Sequence, residues 1–79
     1  MAIQRFYLTY SQEKIKEPII YLVGKKFRVV TNIRSASVSA HVGIVGLELD
    51  GEQAEIDAAV KWIAEQGVNV EPIEKNVIE

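Results

Sequence analysis

Six patterned segments succeed one another along this chain, and their order restricts the available folds more than any other feature. Residues 3–10 alternate, with Phe6, Leu8 and Tyr10 on one face and Arg5, Tyr7 and Thr9 on the other, which is the period of a half-buried strand. Ser11–Lys16 is a polar connection. Pro18 after Glu17 marks a helix start, because proline at the first helical position forgoes only an amide that has no intrahelical partner. Ile19, Leu22, Val23 and Lys26–Phe27 keep helical spacing, so a short helix is predicted over 18–26, with Gly24 weakening its end. β-Branched and small residues fill 29–38 and again 42–49, with turn chemistry at 37–41 between them, the pattern of a hairpin. Asp50-Gly51-Glu52-Gln53 is the sharpest punctuation, and the spacing predicts a capping box in which Asp50 accepts from a first-turn amide and Gln53 reaches back. Ile56, Ala59, Val60 and Ile63 then fall at i, i+3, i+4 and i+7, an amphipathic helix closed by Gly67 in the left-handed conformation. Val68–Ile73 reads as a last strand, and 74–79 as a frayed tail.

Strand, helix, strand, strand, helix, strand is the split βαβ order. The predicted fold is α+β, ferredoxin-like βαββαβ: a four-stranded antiparallel sheet with two helices on one face. The whole chain, 1–79, is read as a single domain with its core over about 3–73. A chain of this size buries only about 60–65% of the surface it exposes when unfolded, so packing against another molecule would help it.

The helix stripes together with Val45, Leu47 and Leu49 form the expected core. Val42 and Ile44, with Val38 or Val30, then lie on the sheet face that the helices leave uncovered. An apolar patch there is unusual to leave in water, and a symmetric dimer is the commonest way to bury one. The expected dimer or partner face is therefore Val38, Val42 and Ile44. The second strand does not alternate cleanly, since Val29 and Ile33 share one phase while Val30, Ala36 and Val38 share the other. Either a bulge shifts the phase or both faces are partly buried. Asn32, Ser35 and Ser37 supply polar groups along the same strand, placed either to meet a small ligand or simply to edge the hairpin in water.

Composition excludes several chemistries. The chain has no cysteine and one histidine, His41, so thiolate metal sites, a cysteine nucleophile and multi-histidine metal sites cannot form within it. No cofactor is expected in this chain. The longest apolar runs, 19–23 and 42–47, fall far short of the roughly 20 residues of a membrane span, and no signal peptide is read, which places the protein in the cytoplasm. The halves differ in charge: residues 1–40 carry seven bases against two acids, and residues 41–79 two bases against nine acids. If the halves interleave in space, that asymmetry is partly erased. No catalytic string is present, and the glycines of Val42-Gly43-Ile44-Val45-Gly46 sit inside a strand, where close backbone packing explains them better than a phosphate loop. Asp57 and Lys61 form an i,i+4 pair on a solvated helix face, and His41 sits in a turn. Trp62 is read as a helix packing residue. An enzyme is not expected. The same element order occurs in RNA-binding RRM domains, but the third strand carries no aromatic residue and the pI is about 5.4, so no nucleic-acid partner is expected.

Thr31-Asn32-Ile33-Arg34, Gly43 with Glu48-Leu49-Asp50-Gly51, and Ala58-Ala59-Val60-Lys61-Trp62-Ile63 followed by Gly67-Val68-Asn69-Val70-Glu71 resemble the NIL domain. So does the first helix, from Glu17-Pro18-Ile19-Ile20 to Lys26-Phe27. The resemblance covers about residues 4–73 and rests on the order and spacing of these strings together. It implies a ferredoxin-like regulatory domain. In one branch such domains end the ATPase subunits of methionine-import ABC transporters, where they dimerise, bind methionine near the dimer interface and inhibit uptake. In another they precede a ferredoxin module carrying two 4Fe-4S clusters. By position, the resemblance implies that Asn32 contacts an amino-acid ligand and that Ile33 lines the same site. Arg34 departs from the family's Asn-Ile-Leu string. The short hairpin and the tail 73–79 are closer to the ferredoxin-linked branch, although that module's cysteines are absent, so the chain is read as a stand-alone relative or an excised domain.

Two functions follow as expectations. One is a homodimeric domain that binds methionine or a similar amino acid and modulates a partner such as a transporter. The other is an interaction module that docks a 4Fe-4S ferredoxin partner and binds no metabolite.

Overall fold

A computed structural model describes residues 1–73. The elements run β1 (Ala2–Ser11), a 3-10 turn (Lys14–Lys16), α1 (Ile19–Lys26), β2 (Val29–Val38), β3 (Val42–Gly51), α2 (Gln53–Glu65) and β4 (Asn69–Pro72). The four strands form one antiparallel sheet in the order β2-β3-β1-β4, with β2 and β4 at its edges. This is the expected ferredoxin-like α+β fold. The tail expected over 74–79 lies outside the described residues.

One face of the sheet packs against both helices. Leu8 of β1, Leu47 and Leu49 of β3, Val23 of α1, and Ile56, Ala59 and Ile63 of α2 are fully buried together, and Phe6, Tyr10, Ile19, Val29, Val45 and Val68 close the cluster. The alternating runs read from the sequence therefore become one apolar layer about the two helical stripes. Trp62 sits half-buried at its edge and meets Phe27 edge-on at 6.3 Å between ring centroids, with the Lys26 ammonium 5.7 Å from its own ring. Gly67 has φ +89°, as expected for the residue that ends α2.

The expected capping box does not form. Asp50 lies inside β3, paired with Ile3 of β1 and Val30 of β2, because ladders on both sides carry β3 on to Gly51. Glu52 is the N-cap residue of α2 and makes no side-chain cap bond, while the Gln53 amide Nε2 donates to Gln4 Oε1 at 2.7 Å and to Asp57 Oδ1 at 2.8 Å. That bond, and not the expected Asp57–Lys61 pair, is the i,i+4 contact seen on this face of α2 among the described residues. Pro18 stands one residue before α1, its carbonyl accepting from Leu22 N–H at 3.0 Å.

The irregular phase of β2 is resolved by a bulge. Ile33 pairs with Leu47 and Ser35 with Gly46, so Arg34 is an extra residue between two consecutive positions of β3. The charged halves do interleave: α1 packs beside α2, the Arg28 amide donates to Glu55 Oε1 at 2.8 Å, and Arg5 reaches Glu48 across the β1–β3 pair.

Burial sorts the expected effects of truncation. Leu47→Ala removes a side chain with no exposed surface and is expected to lower unfolding free energy by about 2–5 kcal/mol. Ile33→Ala, at an exposed edge position, is expected to change it by no more than about 0.5 kcal/mol. Urea unfolding of the two variants checks the contrast.

Candidate functional site

The sheet face turned away from the helices carries a cluster of polar and charged side chains. Pairing across β2, β3 and β1 aligns Asn32, Glu48 and Arg5 in one row, because residues opposite each other in an antiparallel ladder share a face. Arg5 Nε donates to Glu48 Oε1 at 3.1 Å. Arg34 Nη1 stands 4.0 Å from the same oxygen, which is an attraction of charges but too long for a hydrogen bond. The Asn32 side-chain amide also donates to the Glu48 carboxylate. The Arg5 hydrogen bond holds the Glu48 carboxyl below its ordinary value of 4.5, with further help from the Asn32 bond and the Arg34 charge, against a smaller opposing effect of desolvation.

Apolar side chains frame this row. Val30, Ile44, Val42, Tyr7 and Ile3 lie on the same face and are exposed. Gly46 lies opposite Tyr7 of β1 and Ser35 of β2, and a Cβ there would stand 2.6 Å from Ser35 Oγ. The missing side chain makes room for the Ser35 hydroxyl, which covers Gly46 beside Glu48.

The structure separates residues that sequence spacing grouped. Asn32 is on the open face and exposed, with Glu48 as a partner in its own chain. Ile33 faces the opposite way, toward the helix side beside Leu47, because adjacent strand residues alternate. It does not line a site with Asn32. Val42 and Ile44 lie on the open face. Val38 does not: the bulge at Arg34 moves the later half of β2 by one residue, so Val38 pairs with Gly43 on the helix side, and Val30 takes the open face instead. Glu48 and Arg5 were not singled out from the sequence, since only the register of three strands brings them to Asn32. Arg34 was visible as a departure from a family string, and its placement depends on the bulge.

Val38 borders a groove of about 220 Å³ between the start of α1 and the sheet. Tyr10, Ile15, Pro18, Ile20, Val38 and Gly43 line it, and it is mostly apolar. Burial pushes the Tyr10 phenol up to about 12. His41 is exposed in the β2–β3 turn, where the Ser39 hydroxyl accepts from the amides of His41 and Val42 at 3.3 and 3.2 Å. Among the described residues no group of His, Cys, Asp and Glu is placed to hold a metal ion, and no helix is long and apolar enough to cross a membrane.

A sheet with both helices on one face and a charged, hydrogen-bonded cluster on the other is the build of a small ferredoxin-like α+β domain. The sequence model of the NIL domain matches residues 4–72, and the chain belongs to that family. A solved structure with the same fold is the C-terminal domain of an ABC transporter ATP-binding protein from Enterococcus faecalis, 23% identical, with a TM-score of 0.78. The match covers 92% of this chain and 86% of that one. No curated protein matches the sequence.

The lowered carboxyl has a consequence for stability. A group whose folded value lies below its unfolded one stabilises the fold above the unfolded value and loses that contribution as pH falls through the folded one. Glu48 is therefore expected to add to acid unfolding from about pH 4.5 downward. Glu48→Gln removes this part of the pH dependence, so acid titrations of the two proteins followed by circular dichroism should differ in slope below that pH and run parallel above it.

Proposed function

We propose that this NIL domain is a small regulatory module that binds a free amino acid, methionine or one like it, at or near an interface between two copies of itself. Binding modulates a partner such as an ABC transporter in the cytoplasm, and no chemistry is done on the ligand. The observation that carries this is the cluster of Asn32, Glu48, Arg5 and Arg34 on an open sheet face beside the exposed apolar residues Val30, Val42 and Ile44. Charged and amide groups beside apolar surface are what an amino acid with a thioether side chain needs. The same apolar surface favours association of two sheets. Family membership and the likeness to a domain of an ABC transporter ATP-binding protein support the regulatory role.

Regulation by such a domain is linkage. A ligand shifts the partner's state only as far as it binds one arrangement of the assembly better than another. The tight hairpin, with only residues 39–41 between β2 and β3, keeps a second function in play, an interaction module of a ferredoxin-type protein that binds no metabolite.

Isothermal titration of the full chain with methionine and a panel of amino acids, with its mass in solution measured alongside, tests the proposal. Heat at about one ligand per subunit, lost in Asn32→Ala, is the expected result. An assembly that gives no heat with any amino acid would sink ligand binding and leave the interaction module.

A further inference from the structure

We infer that the groove between the start of α1 and the sheet is a binding site for a small, uncharged, mostly apolar molecule with one acceptor oxygen, which the Tyr10 hydroxyl meets. The groove is on the helix side of the sheet, so this site is separate from the amino-acid binding proposed for the opposite face and does not depend on it.

The local sequence leaves the space open. Gly43 of β3 pairs with Tyr10 of β1 and Val38 of β2, which puts all three on the helix side. The backbone does not require a glycine there, since its φ is not positive. A Cβ would meet Ile15 Cγ1 at 3.4 Å and Tyr10 Cβ at 3.6 Å, ordinary contacts, so a methyl group would fit at the expense of groove volume. α1 begins only at Ile19, and the bulge at Arg34 turns Val38 to this side, where it stays 61% exposed as part of the wall. The volume of about 220 Å³ exceeds the roughly 150 Å³ at which an apolar cavity takes up benzene, so a ring with a short substituent fits.

Tyr10 supplies the polar contact. It is only 6% exposed, and its hydroxyl bonds to no protein group among the described residues. Nor is that hydroxyl sealed in: among the described residues no buried side-chain oxygen lacks a partner, so this one reaches the surface, and the hollow that Tyr10 lines is this groove. A phenol taken largely out of water without a bond is costly, and a ligand oxygen beside it removes that cost. Burial raises the phenol to about 12, so it keeps its proton and donates. The remaining walls, among them Ile15, Pro18, Ile20 and Val38, are apolar and do not repay the lost hydration of a charge. Glu17 is the one charged residue lining the groove; it repels an anion, and being exposed it attracts a cation only weakly.

The test is an amide- and methyl-resolved NMR titration of the full chain with acetophenone, ethylbenzene and benzoate, which share a ring and differ in oxygen and charge. It is run on the parent and on Tyr10→Phe, which removes only a hydroxyl that the fold does not use. In the parent, both neutral compounds are expected to shift Ile15, Ile20, Val38 and Gly43, and benzoate to bind at least about tenfold more weakly than acetophenone. Tyr10→Phe should lower the ratio of acetophenone to ethylbenzene affinity about fivefold, the scale of one neutral hydrogen bond, and leave ethylbenzene itself nearly unchanged. That ratio cancels any general loosening of the groove. Shifts absent from the groove, or confined to the open face around Asn32 and Glu48, would overturn the site. A ratio unchanged in Tyr10→Phe, or benzoate bound as well as acetophenone, would overturn the ligand class.

Discussion

The pairing of β3 with strands on both sides is the constraint on which the rest of the structure depends. Each residue of β3 between Val42 and Gly51 meets β1, and most meet β2 as well, so a side chain on β3 has only two directions available to it. Val45, Leu47 and Leu49 take the helix side and are buried; Ile44, Gly46 and Glu48 take the other. A shift of one residue in this register would put Glu48 among the core leucines, where an ionised carboxylate away from its two arginines would be costly. The core and the polar cluster are thus two consequences of one alternation.

The bulge at Arg34 modifies that rule at a single place. It lets the hairpin start and finish in opposite phases, so Val30 and Val38 face opposite sides although their spacing in sequence is even. It also places a cation on the open face, with no ladder partner of its own, near a carboxylate already bonded to Arg5. A bulge additionally blunts an edge strand against indiscriminate pairing, and β2 is an edge with most of its length exposed. One inserted residue therefore changes both the site and the surface available to a second copy.

The two sides of the sheet carry different surfaces. On the open face, charge and amide groups are concentrated. On the helix side, the groove by Val38 and Tyr10 is mainly apolar, and burial pushes its tyrosine phenol further up from the ordinary value. Since Asn32 and Ile33 look toward different sides of the same sheet, a ligand in contact with Asn32 is not in contact with Ile33 on the same subunit.

The sequence by itself determined the element order, the ferredoxin-like topology and nearly the whole core. Period-two and period-3.6 patterns are local consequences of burial, and the sharp glycine and proline positions divide them. Residues such as Leu8, Leu47, Ile56 and Ile63 were legible for that reason. Only the tertiary structure decided the phase of β2 beyond Ile33, the place of Asp50 within a strand instead of a helix cap, and the meeting of Arg5, Asn32, Arg34 and Glu48. Those outcomes turn on which residue of one strand lies opposite which residue of another. That choice is made by burial summed over the whole sheet, and no short stretch of chain contains it.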